Sequence, residues 1–208
     1  MITMKINEYY KLIENTEYKI TGLDVDYQIV FLHEVKQVVL LFKGTDSNTD
    51  LKIDLDFPVK VYKRQSSCIK AHGGFVKAWK SANDVIINEF ITAYAIDKSY
   101  TPVICGHSLG GALAVLASED FYFRTGKKVN LITFGCPNVL FGNNSKKYVL
   151  SCCNEISQYA QCNDIVPTIP YGYCQLNKIK CGEKFNLFKF IFYSMRYHTG
   201  YADENIYR

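Results

Sequence analysis

Long apolar runs, paired metal-ligand cysteines and a strong charge of either sign are all missing from this chain. No segment stays apolar for the roughly 20 residues that a spanning helix needs. The apolar stretch 191–195 is short and lies between Lys189 and Arg196. The net charge is only +4, which is too mild to argue for nucleic acid but no obstacle to an anionic membrane surface. No two of the eight cysteines have C-x-x-C spacing, so no zinc site is expected. Residues 1–8 hold no apolar leader core and carry an acidic residue early, so no signal peptide is read there. A cytoplasmic location and reduced thiols are the expectation. Cys105 and Cys136 fall inside strand patterns and read as small core residues. Cys174 and Cys181 could bridge a hairpin in an oxidising compartment. Neither an internal repeat nor linker composition appears, so residues 1–208 read as a single domain.

Against these absences stands one organised stretch. Four β-compatible residues, Val103 to Gly106, run into His107-Ser108-Leu109-Gly110-Gly111, and a helical pattern follows at once from Ala112. The order is strand, sharp turn and helix, with a serine at the tip. G-x-S-x-G in that setting is the nucleophile-elbow pattern. The turn is too tight for side chains at Gly106 and Gly110. It holds Ser108 in a strained conformation at a helix N-terminus, whose free N–H groups can receive a developing oxyanion.

The rest of the chain supplies a frame. Residues 4–15 have a helical period with Ile6, Tyr9, Tyr10 and Ile13 on one face. Residues 27–32 and 37–42 read as a hairpin. The second of these runs into Gly44-Thr45, where the Thr45 N–H and hydroxyl could meet the Leu109 N–H around one oxygen. Two such donors contribute a few kcal/mol each, by the order of magnitude known for oxyanion holes. In residues 48–57 Leu51, Ile53, Leu55 and Phe57 alternate with polar and charged residues; the segment is either an amphipathic strand or a flap with its apolar side toward a cleft. A short β run covers 59–62 and a long helix 76–94. The elbow strand and helix follow, then a strand over 129–134, a polar loop over 138–147, a strand over 155–160 and a hairpin over 171–184. Strands alternating with helices imply an α/β fold with a mostly parallel sheet.

A serine nucleophile needs a general base, and the base needs an orienting carboxylate. In the α/β-hydrolase order the acid and then the histidine follow the serine. Of the four histidines only His198 lies after Ser108. His107 adjoins the serine on the elbow and should point away from it. Glu119 and Asp120 lie on the elbow helix, Glu155 begins a strand at the wrong end, and Glu183 is in a Lys-rich segment. Asp164 follows a strand at its C-terminal end, where such sheets place their chemistry. The expected triad is Ser108, Asp164 and His198.

These residues resemble the class 3 lipases, the fungal-type triacylglycerol lipase family, from about residue 38 to the C-terminus. Phe42-Lys43-Gly44-Thr45 is similar to the family's F-R-G-[ST] segment, and residues 50–55 to its lid. His72-Gly73-Gly74-Phe75 resembles H-x-G-F, and Gly106 to Gly111 matches G-H-S-L-G-G throughout. Residues 134–137 resemble its T-F-G-x-P turn, 163–170 its acid segment, and His198-Thr199-Gly200-Tyr201 its base segment. Lys43 stands where the family usually has Arg, and Leu51 where it often has a lid Trp. The resemblance implies an α/β-hydrolase fold with helices on both faces of the sheet and a short lid. It also implies a Ser108–Asp164–His198 triad, an oxyanion hole at Thr45 and Leu109, and lid or substrate contacts from Leu51, Ile53, Leu55 and Phe57. The implied activity is hydrolysis of lipid carboxylic esters, of the acylglycerol lipase or phospholipase A type, with no metal or cofactor. The implied partners are a lipid or other ester substrate and a transient membrane or lipid-droplet surface. A soluble carboxylesterase or thioesterase, and a non-catalytic interaction protein on a hydrolase scaffold, are the alternatives.

Overall fold

The strand patterns assemble, among the described residues, into one seven-stranded sheet and a separate two-stranded ribbon. The computed structural model describes residues 4–22, 25–44, 59–63 and 68–207. In chain order the elements begin with helix α1 (Ile6–Asn15) and strands β1 (Lys19–Thr21), β2 (Val25–Leu32) and β3 (Gln37–Phe42). The ribbon, β4 (Val59–Lys63) and β5 (Cys68–His72), leads into α2 (Gly73–Ile96). The elbow strand β6 (Thr101–His107) and helix α3 (Leu109–Thr125) follow, then β7 (Val129–Phe134), α4 (Asn143–Ser151) and β8 (Cys153–Gln161). The last elements are β9 (Lys178–Cys181) and α5 (Leu187–His198), with two short 3-10 turns at Val166–Thr168 and Glu204–Tyr207.

The sheet order is β1-β2-β3-β6-β7-β8-β9. β1–β2 and β2–β3 are antiparallel, while β3, β6, β7, β8 and β9 run parallel. This is the mostly parallel sheet of an α/β-hydrolase fold. The alternation along β3 shows how both faces are filled. Val38, Leu40 and Phe42 enter one core with α2 and α3, and Val39 and Leu41 enter the other beneath α1. A strand buried on both sides reads as continuous apolar sequence, which Val38 to Phe42 is. On the first face the Phe42 and Trp79 rings meet at 6.0 Å, and Phe90 and Phe121 at 5.1 Å. On the second, Tyr9, Tyr10 and Ile13 of α1 pack against Phe134 and Tyr201. Each fully buried side chain of this size contributes about 1.5–3 kcal/mol.

Three expectations need correction. Residues 138–147 are not one polar loop: α4 begins at Asn143. Its mostly polar sequence hides a single anchored face, in which Val149 is fully buried and Ser145 accepts a hydrogen bond from Lys70 N at 2.9 Å. Residues 171–184 are not a hairpin. Lys178–Cys181 pairs in parallel with β8, and Cys174 bridges to Leu140 instead. Cys174 and Cys181 are accordingly free thiols on different partners. Finally, β5 forms where no strand is expected before the long helix; Cys68–His72 pairs antiparallel with β4 across only four intervening residues, and its alternation of Ile69 and Ala71 with Lys70 and His72 is too short to stand out.

Candidate active site

The elbow is built by backbone contacts that only glycine allows. A Cβ on Gly106 would stand 2.3 Å from the Gly110 carbonyl oxygen, and one on Gly110 would stand 2.5 Å from that of Phe42. Ser108, between them, has φ 54° and ψ −125°, a backbone state that costs a non-glycine residue about 1–3 kcal/mol. Its N–H donates to the Phe134 carbonyl at 3.0 Å, and its carbonyl starts α3 by accepting from Gly111 N at 2.9 Å. Strand β7 thus holds one side of the serine and α3 the other. Leu109 is the first residue of α3, with its N–H among the helix-terminal donors.

Asp164 follows the end of β8 through a tight turn, its N–H donating to Gln161 O at 3.1 Å. Its two carboxylate oxygens divide the work. Oδ1 accepts from Val166 N at 2.9 Å and caps the 3-10 turn. Oδ2 accepts from His198 Nδ1 at 2.8 Å and from the Tyr201 hydroxyl at 3.0 Å. Asp164 and His198 are both almost wholly buried. With Nδ1 donating to the carboxylate, a neutral His198 keeps its lone pair on Nε2. Among the described residues neither His198 Nε2 nor Ser108 Oγ has a hydrogen-bond partner.

Three further residues fix the histidine. His107 lies against it, ring centroids 4.7 Å apart, and its Nε2–H donates to the His198 carbonyl at 2.8 Å. Burial and the neighbouring His198 push the His107 pKa down to about 3, so it stays neutral and serves as a fixed donor. Gly135, at the end of β7 with φ +55°, leaves open the space the imidazole occupies: a Cβ there would be 2.7 Å from His198 Cε1. Tyr201 accepts from Gln161 N at 2.9 Å while donating to Asp164. Burial raises its pKa far above the ordinary phenol value, which keeps the donor proton in place.

The structure therefore brings Ser108, Leu109, Asp164 and His198 to one end of the parallel strands. Thr45 and the lid positions Leu51, Ile53, Leu55 and Phe57 lie outside the described residues. Gly44, just before Thr45, lies against the elbow, where a Cβ would be 3.0 Å from Ser108 Cβ. The sequence reading missed Gly135 and Tyr201 as parts of the site. A glycine at the C-terminal end of a parallel strand and a tyrosine three residues after the histidine were the available signals. A cavity of about 730 Å³ opens beside α5 between Glu183, Arg196 and Asp203, and neither Ser108 nor Asp164 lines it.

This geometry can be set beside known proteins. Residues 39–173 match the family model described as lipase (class 3). The lipase of Rhizopus niveus is 34% identical over 143 residues, which is 65% of this chain and 35% of that protein. The secreted mono- and diacylglycerol lipase A of Penicillium camembertii is 33% identical over 141 residues, 66% of this chain and 44% of that protein. The chain thus spans less than half the length of these relatives. Among solved structures, the Rhizomucor miehei lipase–propeptide complex superposes with a TM-score of 0.73 at 22% identity, over 86% of this chain and 64% of that one. A triacylglycerol lipase whose catalytic centre is described as a serine protease triad superposes with a TM-score of 0.68 at 27% identity, over 76% of this chain and 62% of that one. The expectation of a cytoplasmic location is overturned by these relatives, since those from Penicillium are named secreted lipases. Its basis was the sequence of residues 1–8; from Ile6 that stretch belongs to α1, packed on the sheet, and it carries no weight on compartment. The family match runs from β3 to beyond the turn that carries Asp164 and covers most of the chain, which belongs to the class 3 lipase family.

Proposed function

We propose that this protein is a serine hydrolase of lipid carboxylic esters, of the acylglycerol lipase or phospholipase A type, acting as a single domain over residues 1–208. The observation that carries the reading is the pairing of a strained Ser108, φ 54°, with a buried His198–Asp164 hydrogen bond of 2.8 Å at the same end of the sheet. His198 Nε2 takes the Ser108 proton as Oγ attacks the ester carbonyl carbon. The carbonyl oxygen, now negative, is held by the Leu109 N–H and by Thr45. The carbon–oxygen bond to the alcohol then breaks, and the alcohol leaves with the proton from His198. Water, deprotonated by the same nitrogen, attacks the acyl-serine; the acyl–Oγ bond breaks, His198 returns the proton to Ser108 Oγ and the fatty acid is released. Each oxyanion donor contributes about 3–4 kcal/mol to such a step. Contact with a lipid surface follows from a substrate that is insoluble in water.

The test is acid release from emulsified triacylglycerol, from phosphatidylcholine and from a short soluble ester, by the protein and by Ser108→Ala. Release from the lipids that drops by about a millionfold in Ser108→Ala supports the reading. Release from the soluble ester alone transfers it to a carboxylesterase or thioesterase. A folded protein that releases no acid from any of the three sinks it.

A further inference from the structure

We propose that helix α5 is the element by which this protein docks on an anionic lipid surface, lying in the plane of the surface with its aromatic side down. The proposal rests on the lipid-hydrolase reading for its purpose, though not for its test.

Helix α5 departs from the rule the other helices follow. α1, α2 and α3 bury most of their apolar residues and expose the rest singly, as at Val85 and Ile96, whereas Leu187, Phe188, Ile191 and Phe192 of α5 are 59–66% exposed together. Their spacing makes two adjacent rows. Phe188 and Phe192 form one, with ring centroids 4.7 Å apart. Leu187 and Ile191 form the other, and at intervals of four, three and four that row continues through Ser194 to His198. The row is exposed at Leu187 and Ile191 and buried at Ser194 and His198, so the helix carries its apolar surface on the N-terminal half and the proposed general base, buried, at its C-terminal end. Phe185, also exposed, extends the patch beyond the N-terminus of the helix.

Charge names the occupant. Beyond the Phe188–Phe192 row comes a cationic row, Lys189 and Arg196, seven residues apart. Lys184 is exposed just before the helix, and Lys178 and Lys180 are exposed on neighbouring β9. Over residues 178–196 five cations stand against one carboxylate, Glu183, which pairs with Lys189. An aromatic face bordered by Lys and Arg is the pattern of an interfacial helix: rings enter the boundary between headgroups and acyl chains while cations meet anionic headgroups. Length excludes insertion across the bilayer. Twelve residues span about 18 Å, well short of a hydrocarbon core of about 30 Å.

The helix can dock without rearranging the site. Ser194 Oγ accepts from Ile165 N at 2.7 Å, and Gln161 Nε2 donates to Tyr197 O at 2.7 Å. Asn163 Oδ1 accepts from Asn186 N at 2.8 Å at the helix start. Both the start and the C-terminal half of the helix are therefore pinned to residues 161–165, while its outward side presents the apolar rows. Because α5 ends at His198, a docked helix would hold the site close to the lipid surface.

The experiment measures binding, not turnover, in the Ser108→Ala background. Partition is read by sedimentation with vesicles of phosphatidylcholine alone and with about a third phosphatidylglycerol, a composition that gives an anionic surface. The parent should bind the anionic vesicles and weaken in high salt. Phe188→Ser with Phe192→Ser should lose on the order of tenfold in that binding. Lys184→Glu with Arg196→Glu should lose it on anionic vesicles only. Ile96→Ser, an exposed control at the opposite end of the sheet, should bind like the parent. Phe192→Trp gives a readout free of truncation, since the resident Trp79 is fully buried: its emission should shift to the blue on anionic vesicles. Parent-like binding by the serine pair, an unshifted Phe192→Trp emission, or a dimer that the serine pair dissociates would each overturn the proposal. Because hydrolysis is read separately, an inactive protein that binds, or an active one that does not, tells the two readings apart.

Discussion

Gly135 and His198 occupy a space that only one of them can fill. A Cβ on Gly135 would lie 2.7 Å from Cε1 and 2.8 Å from Nδ1 of the imidazole, and 3.2 Å from Asp164 Oδ2. The glycine also has φ +55°, which an L side chain tolerates poorly. One residue at the end of β7 thus meets two demands. It turns the chain away from the sheet, and it leaves the histidine a seat over the strand end next to Ser108.

Gly135→Ala should therefore damage turnover more than folding. The left-handed backbone costs alanine about 1–2 kcal/mol, which a domain of this size survives. The larger effect is displacement of the imidazole, and a misplacement of about 1 Å costs on the order of a hundredfold in rate. Steady-state kinetics on a soluble ester should show kcat falling by that factor with KM little changed. A variant with parental kcat would show that His198 needs no such seat.

The shared acceptor Asp164 Oδ2 separates two kinds of loss. Asp164→Asn leaves the shape but lets His198 adopt the wrong tautomer, and a fall of about ten-thousandfold in kcat is expected. Tyr201→Phe keeps the ring, packed 5.7 Å from that of Tyr10, and removes the donor to the carboxylate together with the acceptor of Gln161 N. A hydrogen bond to a charged group contributes about 1.5–3 kcal/mol. The variant should unfold at lower urea concentration, and its kcat should fall by tens rather than thousands. A Tyr201→Phe protein with unchanged urea midpoint and kcat would remove Tyr201 from the site.

The difference between these residues also explains what could be read without coordinates. Ser108 was legible because its demands are local: two glycines, a strand before and a helix after. Asp164 and His198 were legible by chain order and by the rule that parallel strands carry chemistry at their C-terminal ends. Gly135 and Tyr201 act on partners far away in sequence, His198 and Asp164, so their position at a strand end and three residues after the histidine does not by itself report the contact each one makes. The same division holds for the elements. β3 and β6 announce themselves by continuous apolar sequence because both faces are covered. β9 does not, since among the described residues its one strand neighbour is β8, reached in parallel across a 16-residue connection. α4 shows the reverse failure, where polar composition suggested a loop and two buried residues, Ser145 and Val149, anchor a helix.

Thiol reactivity should follow burial rather than number. Cys136, Cys152, Cys153 and Cys181 are buried, and burial pushes their pKa values up to about 12. Cys105 is driven higher still by complete burial. Thiolates are the reactive form, so these five should resist an aromatic disulfide reagent at pH 8 until the protein unfolds. Cys162 and Cys174 are only partly buried and should be modified before those five. Mass mapping after brief labelling checks this, and early labelling of Cys105 would contradict the packing of β6.

Acid should destabilise the protein well above the range where carboxylates titrate, and His107 is the cause. Its folded pKa is pushed down to about 3 by burial, then by His198, against about 6.5 in an unfolded chain. Above pH 6.5 both states hold a neutral imidazole and the full stability is present. As pH falls below 6.5 the unfolded chain gains a proton that the folded protein refuses, and stability is lost down to about pH 3. The limiting slope is about 1.4 kcal/mol per pH unit for one proton. Burial lowers the pKa of His72 as well, and its effect has the same sign. Between pH 7 and pH 5 the unfolding free energy should therefore drop by about 2 kcal/mol or more from these two rings. His107→Asn keeps an N–H donor near the His198 carbonyl but cannot titrate. Urea melts at the two pH values should show a smaller drop for His107→Asn than for the parent, whatever their relative stability at pH 7. Equal drops would mean that the His107 imidazole is protonated in the folded protein, and a charged ring at 4.7 Å from His198 is incompatible with the base role given to that residue.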